Sequence, residues 1–78
     1  MSGARSRIAV LEAAADAAYA AMYDAPSGSS ATARYSDAKE YLHDAIGLAR
    51  QSRMAEVETR LRARLAEIKA VFRGQFGG

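Results

Sequence analysis

Residues 53–73 read RMAEVETRLRARLAEIKAVFR and decide the fold. Apolar side chains recur here at steps of three and four, the spacing that aligns side chains along one face of an α-helix. The charged residues fall on both flanks of this apolar stripe, as they do beside a coiled-coil seam. The segment therefore predicts an amphipathic helix whose core-facing stripe is Met54, Val57, Leu61, Leu65, Ile68 and Phe72.

Two further helices are predicted before this one. Residues 6–24 place one apolar seam on a helical face, and its members are Ile8, Leu11, Ala15, Ala18 and Met22. Residues 36–50 form the second helix, with Ser36 predicted as its N-cap. The stripe of that second helix consists of Ala38, Tyr41, Leu42, Ala45, Ile46 and Ala49.

The segments between and after the helices carry the signals of loops. Residues 25–35 contain Pro26 and a Gly/Ser run, which predict a flexible loop. Within it, residues 31–35 form either an extended connector or an early helical turn. The apolar stripe breaks at Arg50 and Arg53, so we expect a turn there, with Ser52 capping the third helix. The alternative is one continuous helix over 36–73, because residues 51–53 contain neither proline nor glycine. Gly74 is expected just past the end of that helix, in a frayed tail over 74–78.

The pattern as a whole predicts an all-α fold in a single domain, residues 1–78. We expect a small three-helix bundle, in which a helical hairpin over 36–73 has the N-terminal helix packed on it. Tyr35, Tyr41, Phe72 and Phe76 fall at or beside stripe positions and are predicted in the core. A chain of this size buries a modest share of its surface, so dimerisation is a further way to complete the core.

Residues 35–49 resemble part of a tetratricopeptide repeat. The shared features are Tyr35, then Ala38, then Leu42, followed by Ala45-Ile46 and Leu48-Ala49. Such repeats are about 34 residues long and occur in arrays. The chain contains no second copy, so the resemblance implies close helix packing and not a repeat array.

The composition excludes several kinds of chemistry. No cysteine is present, which removes disulfides, thiolate zinc sites and a cysteine nucleophile. Glu40 and His43 have the Glu-x-x-His spacing of carboxylate-bridged metal bundles, but those need two copies and an inward-facing side. We therefore expect a protein without a metal, a cofactor or catalytic residues.

The same sequence predicts a cytoplasmic protein that does not bind membranes. Glu12 and Asp16 interrupt the one apolar run that resembles a secretory signal. No apolar run approaches the roughly 20 residues that cross a bilayer. The formal net charge of +2 is too small to predict a polyanionic partner by itself.

The back of the third helix carries small residues where an exposed helix usually carries charge. Such a row lets another helix approach closely, so we predict a helical interaction module that forms a homodimer or docks on another helical protein. The first helix has a similarly alanine-rich back. The candidate interaction residues are Thr59, Ala63, Ala66 and Ala70.

The alternative function is weak nucleic-acid binding by arginines of the third helix. Arg53, Arg60 and Arg64 fall on one flank of its apolar stripe and could contact phosphates. Glutamates lie among these arginines, and the pairs Glu56–Arg60 and Glu58–Arg62 have the spacing of favourable helical ion pairs. The mixed charge makes this alternative the weaker one.

Overall fold

The computed structural model describes residues 3–75, which form an all-α three-helix bundle. The helices are α1 (Gly3–Tyr23), α2 (Gly28–Gln51) and α3 (Ala55–Gln75), and no strand occurs within this range. Short turns join them, so consecutive helices run in opposite directions and α3 runs parallel to α1. The predicted fold class is confirmed.

The core is built from large aliphatic side chains and from alanines that the stripes predicted. Met22, Leu42, Leu61 and Ile68 are the largest fully buried side chains. α1 packs more extensively on α2 than α3 does. Small side chains permit this close approach, and those fully buried on the two helices are Ala15, Ala38, Ala45 and Ala49.

The loop predicted over 25–35 ends earlier than expected, because α2 begins at Gly28, and of the two alternatives for residues 31–35 the helical one is observed. Ser27 is the N-cap of α2: it has an extended backbone, and its side-chain oxygen accepts a hydrogen bond from the Ser30 backbone N–H at 3.2 Å. In this way an N-cap serine accepts a hydrogen bond from a backbone N–H of the first turn, which has no partner within the helix. The predicted N-cap, Ser36, therefore lies inside α2.

The predicted turn between the second and third helices is present, although Ser52 has a different role in it. Ser52 is the C-cap of α2, and Arg53 follows in the left-handed region with φ of 58°. The Met54 N–H donates to the Ala49 carbonyl at 2.8 Å, and the Arg53 N–H donates to the Arg50 carbonyl at 3.2 Å. These two bonds form a Schellman motif, which ends α2 without a glycine.

The aromatic predictions are confirmed only in part. Tyr35 and Phe72 are half-buried and stack with ring centroids 3.9 Å apart, and the Lys39 ammonium lies over the Tyr35 ring. Tyr41 is exposed, because it lies at the edge of the α2 stripe and turns outward. Phe76 lies outside the described residues.

The predicted helix ends differ from the observed ones by a few residues elsewhere, as terminal turns commonly do. α1 begins three residues before the predicted start at 6 and ends at Tyr23. α3 begins at Ala55 and continues through Gly74 to Gln75, so the tail predicted over 74–78 starts too early. Residues 76–78 of that tail are outside the described range.

Candidate functional site

The small-residue row of α3 faces outward along the length of the helix. Its buried side chains, Leu61, Leu65 and Ile68, point to α1 and α2 and leave the opposite face uncovered. The candidate interaction residues Thr59, Ala63, Ala66 and Ala70 are all exposed. We call these four residues the α3 row.

The arginines proposed for phosphate binding are placed differently from one another. Arg60 donates a hydrogen bond to the Glu12 carboxylate of α1, and this bond and the charge of Glu12 raise the pKa of the Arg60 guanidinium. The expected pair between Glu56 and Arg60 is absent from the ion pairs of the described residues. Arg53 is exposed in the turn between α2 and α3, apart from Arg60 and Arg64.

Arg64 is held by carboxylates on two helices. Its Nη1 lies 2.6 Å from Oε1 of Glu67, and its Nη2 lies 3.3 Å from Oδ1 of Asp16 on α1. The guanidinium also lies over the Tyr19 ring, 4.9 Å from its centroid. The hydrogen bond to Glu67, followed by the contacts with Asp16, raises the pKa of Arg64 despite the opposing effect of burial. Phosphate would have to displace these carboxylates.

Tyr19 makes a second contact that affects its own ionisation. Its hydroxyl lies 3.2 Å from the hydroxyl of Tyr23, and the two rings meet edge to face. This hydrogen bond is the largest cause of a raised pKa at Tyr19, and partial burial adds to it, while Arg64 lowers it. The two tyrosines lie one helical turn apart on α1, with Tyr19 also beneath the Arg64 guanidinium.

The structure adds a surface that the sequence did not reveal. An open groove of about 740 Å³ lies between α1 and the second half of α2, and no residue of α3 lines it. We call it the α1–α2 groove; its α1 side carries Arg7, Val10 and Leu11, and its α2 side carries Asp44, Gly47 and Leu48. His43, Ser6 and Gln51 complete its rim.

Among the described residues, Glu40 and His43 are not joined by a third side chain of a metal-ligating type. Both side chains are exposed on α2, as their position opposite the stripe predicted. Within residues 3–75, no group of three or more side chains of the ligating types is placed to hold a metal ion.

The buried interior of the described range is apolar. No polar or charged side chain is buried there, and no buried side-chain polar atom lacks a partner. None of the helices in the described part is both long and apolar enough to cross a membrane. The polar and charged side chains of this range are therefore half-buried or exposed.

Comparison with known proteins finds no matching family model, no matching curated protein and no matching solved structure.

Proposed function

We propose that the protein is a non-catalytic helical interaction module whose α3 row docks a helix of a partner protein. The observation that carries the proposal is the exposure of all four residues of the row on a helix whose other face is buried in the core. Exposed helical faces usually carry charged and polar side chains. A row of small residues instead leaves the backbone accessible to close approach.

The molecule already uses this packing device internally. α1 and α2 meet through alanines that are fully buried, including Ala15, Ala38 and Ala45. The α3 row has the same chemistry and lacks a covering helix within the described residues. A helix with a small-residue face, from another protein or from a second copy, would match it in the same way.

Charged pairs beside the α3 row supply a means of fixing register. Arg62 lies 2.8 Å from Glu58 on one flank, and Arg64 lies 2.6 Å from Glu67 on the other. Exposed pairs of this kind contribute little to folding stability. They can still reject partners of the wrong charge pattern, as flanking charges do in coiled coils.

The proposal also places the module in the cytoplasm and assigns it no cofactor. The chain lacks cysteine and therefore needs no oxidising compartment to fold. The buried side chains of the described residues are all hydrophobic, which supports a module without a catalytic site.

The absence of cysteine allows a direct test by site-specific cross-linking. Ala66→Cys places a single thiol in the α3 row, and a photoreactive maleimide attached to it reports what contacts that row. The matched control is Ala33→Cys, because Ala33 is an exposed alanine on α2 outside the row. We expect a discrete adduct from position 66 in an extract of the native host and none of that mass from position 33.

Competition makes the cross-linking result specific. Unlabelled wild-type protein should suppress the adduct, whereas the double variant Ala63→Glu/Ala66→Glu should not, since two charges would be buried without partners in the contact. Circular dichroism checks that the double variant keeps its helicity. Equal adducts from both labelled positions, or full competition by a folded double variant, would refute docking at the α3 row.

A further inference from the structure

A cleft between α2 and α3 brings together both lysines of the chain. The sequence contains nine arginines but only two lysines, Lys39 on α2 and Lys69 on α3. Both lysines line one open cleft of about 250 Å³, and three residues of α2 complete its lining: Ser36, Glu40 and His43. We call the space lined by these five residues the α2–α3 cleft.

An aromatic stack sets the register that brings the two lysines together. Tyr35 of α2 and Phe72 of α3 stack with ring centroids 3.9 Å apart. Because α2 and α3 are antiparallel, one turn forward from Tyr35 and one turn back from Phe72 lead to the same level of the bundle. Lys39 and Lys69 occupy those two positions. The Lys39 ammonium lies over the Tyr35 ring, 4.4 Å from its centroid, so the stack also positions one of the two cations.

Within residues 3–75, neither lysine of the cleft has an anionic partner. No ion pair includes Lys39 or Lys69, and Glu40, the one carboxylate that lines the cleft, is not paired either. Two cations that line one cleft repel each other, and such a cleft concentrates counter-ions. The opposite flank of α3 differs, because Arg60 and Arg64 are held there by carboxylates. The α2–α3 cleft is therefore the place where an added anion would meet free cations.

The remaining side chains of the cleft define which anion fits. The Ser36 hydroxyl and the His43 imidazole can each donate a hydrogen bond, whereas the Glu40 carboxylate can only accept one. An anion beside Glu40 therefore needs a proton of its own to donate. Inorganic phosphate at neutral pH carries negative charge and at least one O–H group, while sulfate carries its charge without a proton. Lysine is also a common phosphate ligand in proteins.

We propose that the α2–α3 cleft binds inorganic phosphate, with Lys39 and Lys69 on its charged oxygens and the Glu40 carboxylate accepting a hydrogen bond from its O–H group. This proposal goes beyond the proposed function because it concerns a different surface. No residue of the α3 row lines the cleft, so phosphate binding leaves that row open to a partner helix. Either surface can fail without the other.

An NMR titration with inorganic phosphate tests the site directly. Isotope-labelled wild-type protein in a phosphate-free buffer receives sodium phosphate, and a parallel sample receives sodium sulfate at the same ionic strength. We expect saturable shifts of backbone amides on both walls of the cleft, over residues 36–43 and around Lys69. The Kd for phosphate should be about 1 mM, as for a small ion held by a few charge-assisted hydrogen bonds. Sulfate should bind about tenfold more weakly, because it has no proton to donate to Glu40.

A pair of charge-matched variants assigns the binding to the cleft. Lys69→Gln should weaken phosphate binding about tenfold, since it removes one of the two cations. The control Arg50→Gln removes the same charge from an exposed residue of α2 that does not line the cleft. Arg50 lies about three helical turns from Lys39 along α2, so this control should keep the wild-type Kd.

A second pair of variants tests the role of the carboxylate. Glu40→Gln should bring the sulfate affinity close to the phosphate affinity, because an amide can donate to either anion as well as accept. The control Asp44→Asn neutralises an exposed carboxylate of α2 that does not line the cleft, and it should keep the preference for phosphate. All four substituted side chains are exposed, and circular dichroism checks that each variant keeps its helicity.

Three outcomes would overturn the proposal. Amide shifts that grow linearly with phosphate and never saturate would show a general ionic effect. Equal weakening of phosphate binding by Lys69→Gln and Arg50→Gln would show that net charge governs the interaction and not the cleft. Equal affinities of the wild type for phosphate and sulfate would show that Glu40 accepts no hydrogen bond from the bound ion.

Discussion

Arg53 has a backbone conformation that arginine seldom adopts. Its φ of 58° places it in the left-handed region, where a Cβ is crowded and glycine is not. The surrounding hydrogen bonds of Met54 to Ala49 and of Arg53 to Arg50 hold it there. The side chain is exposed and has no ion pair among the described residues, so nothing that arginine contributes offsets the unfavourable conformation.

We predict that Arg53→Gly stabilises the protein by about 0.5–1 kcal/mol. Relief of the left-handed conformation outweighs the greater entropy that glycine gives the unfolded chain. A change of about 1 kcal/mol shifts the Tm of a domain this small by roughly 4–8 °C, which calorimetry resolves easily. Arg53→Ala is the control: it removes the charge but keeps the Cβ, so its Tm should stay near wild type. A glycine variant no more stable than the alanine variant would contradict the interpretation.

At the scale of the helices, the sequence predicted which side chains are buried better than it predicted the residues at which each helix begins and ends. The stripes of α1 and α3 were correct because burial follows helical periodicity, as Ile8, Leu61 and Ile68 show. The start of α2 was missed because Ser27 and Gly28 were interpreted by composition as a flexible segment. In the structure the serine hydroxyl caps the helix, a local geometry that composition does not reveal.

The N-cap of α2 can be tested with two single variants, each of which replaces one serine with alanine. Ser27→Ala removes the acceptor for the Ser30 N–H and should cost about 1 kcal/mol of unfolding free energy in urea denaturation. Ser36→Ala changes an exposed residue inside the helix, where alanine is the better helix former, and should be neutral or slightly stabilising. If Ser36→Ala lowered the unfolding free energy by about 1 kcal/mol and Ser27→Ala left it unchanged, the helix would start at residue 36 instead.

Some surface features could be predicted from the sequence and others could not. The difference is whether the feature depends on one helix alone or on how two helices pack together. Exposure of the α3 row followed from the sequence alone, since it lies opposite the stripe of the same helix. The pairing of Arg60 with Glu12 and the groove beside Val10 depend on how α1 is rotated against its neighbours. No periodicity within one helix contains that information.

At the scale of the whole molecule, two ion pairs connect the first and last helices. Glu12 pairs with Arg60, and one turn further along Asp16 pairs with Arg64. The side chains are partly or largely exposed, so each pair contributes roughly 0–1 kcal/mol to stability. Their larger effect is electrostatic: carboxylates of α1 lie beside the arginines that would otherwise offer phosphates a basic surface.

This arrangement predicts that the α1 carboxylates suppress nucleic-acid binding. Glu12→Gln/Asp16→Asn should free Arg60 and ease access to Arg64 while lowering stability by about 1–2 kcal/mol at most. Fluorescence anisotropy with labelled duplex DNA should show weak binding by the wild type and tighter binding by the variant at low salt. The log–log salt dependence should steepen by about two, one for each arginine that gains a phosphate contact.

The control Glu40→Gln/Asp44→Asn changes the net charge equally on α2, away from Arg60 and Arg64, and separates a local effect from a general one. Equal binding by both double variants would show that net charge, and not the release of these two arginines, governs the interaction.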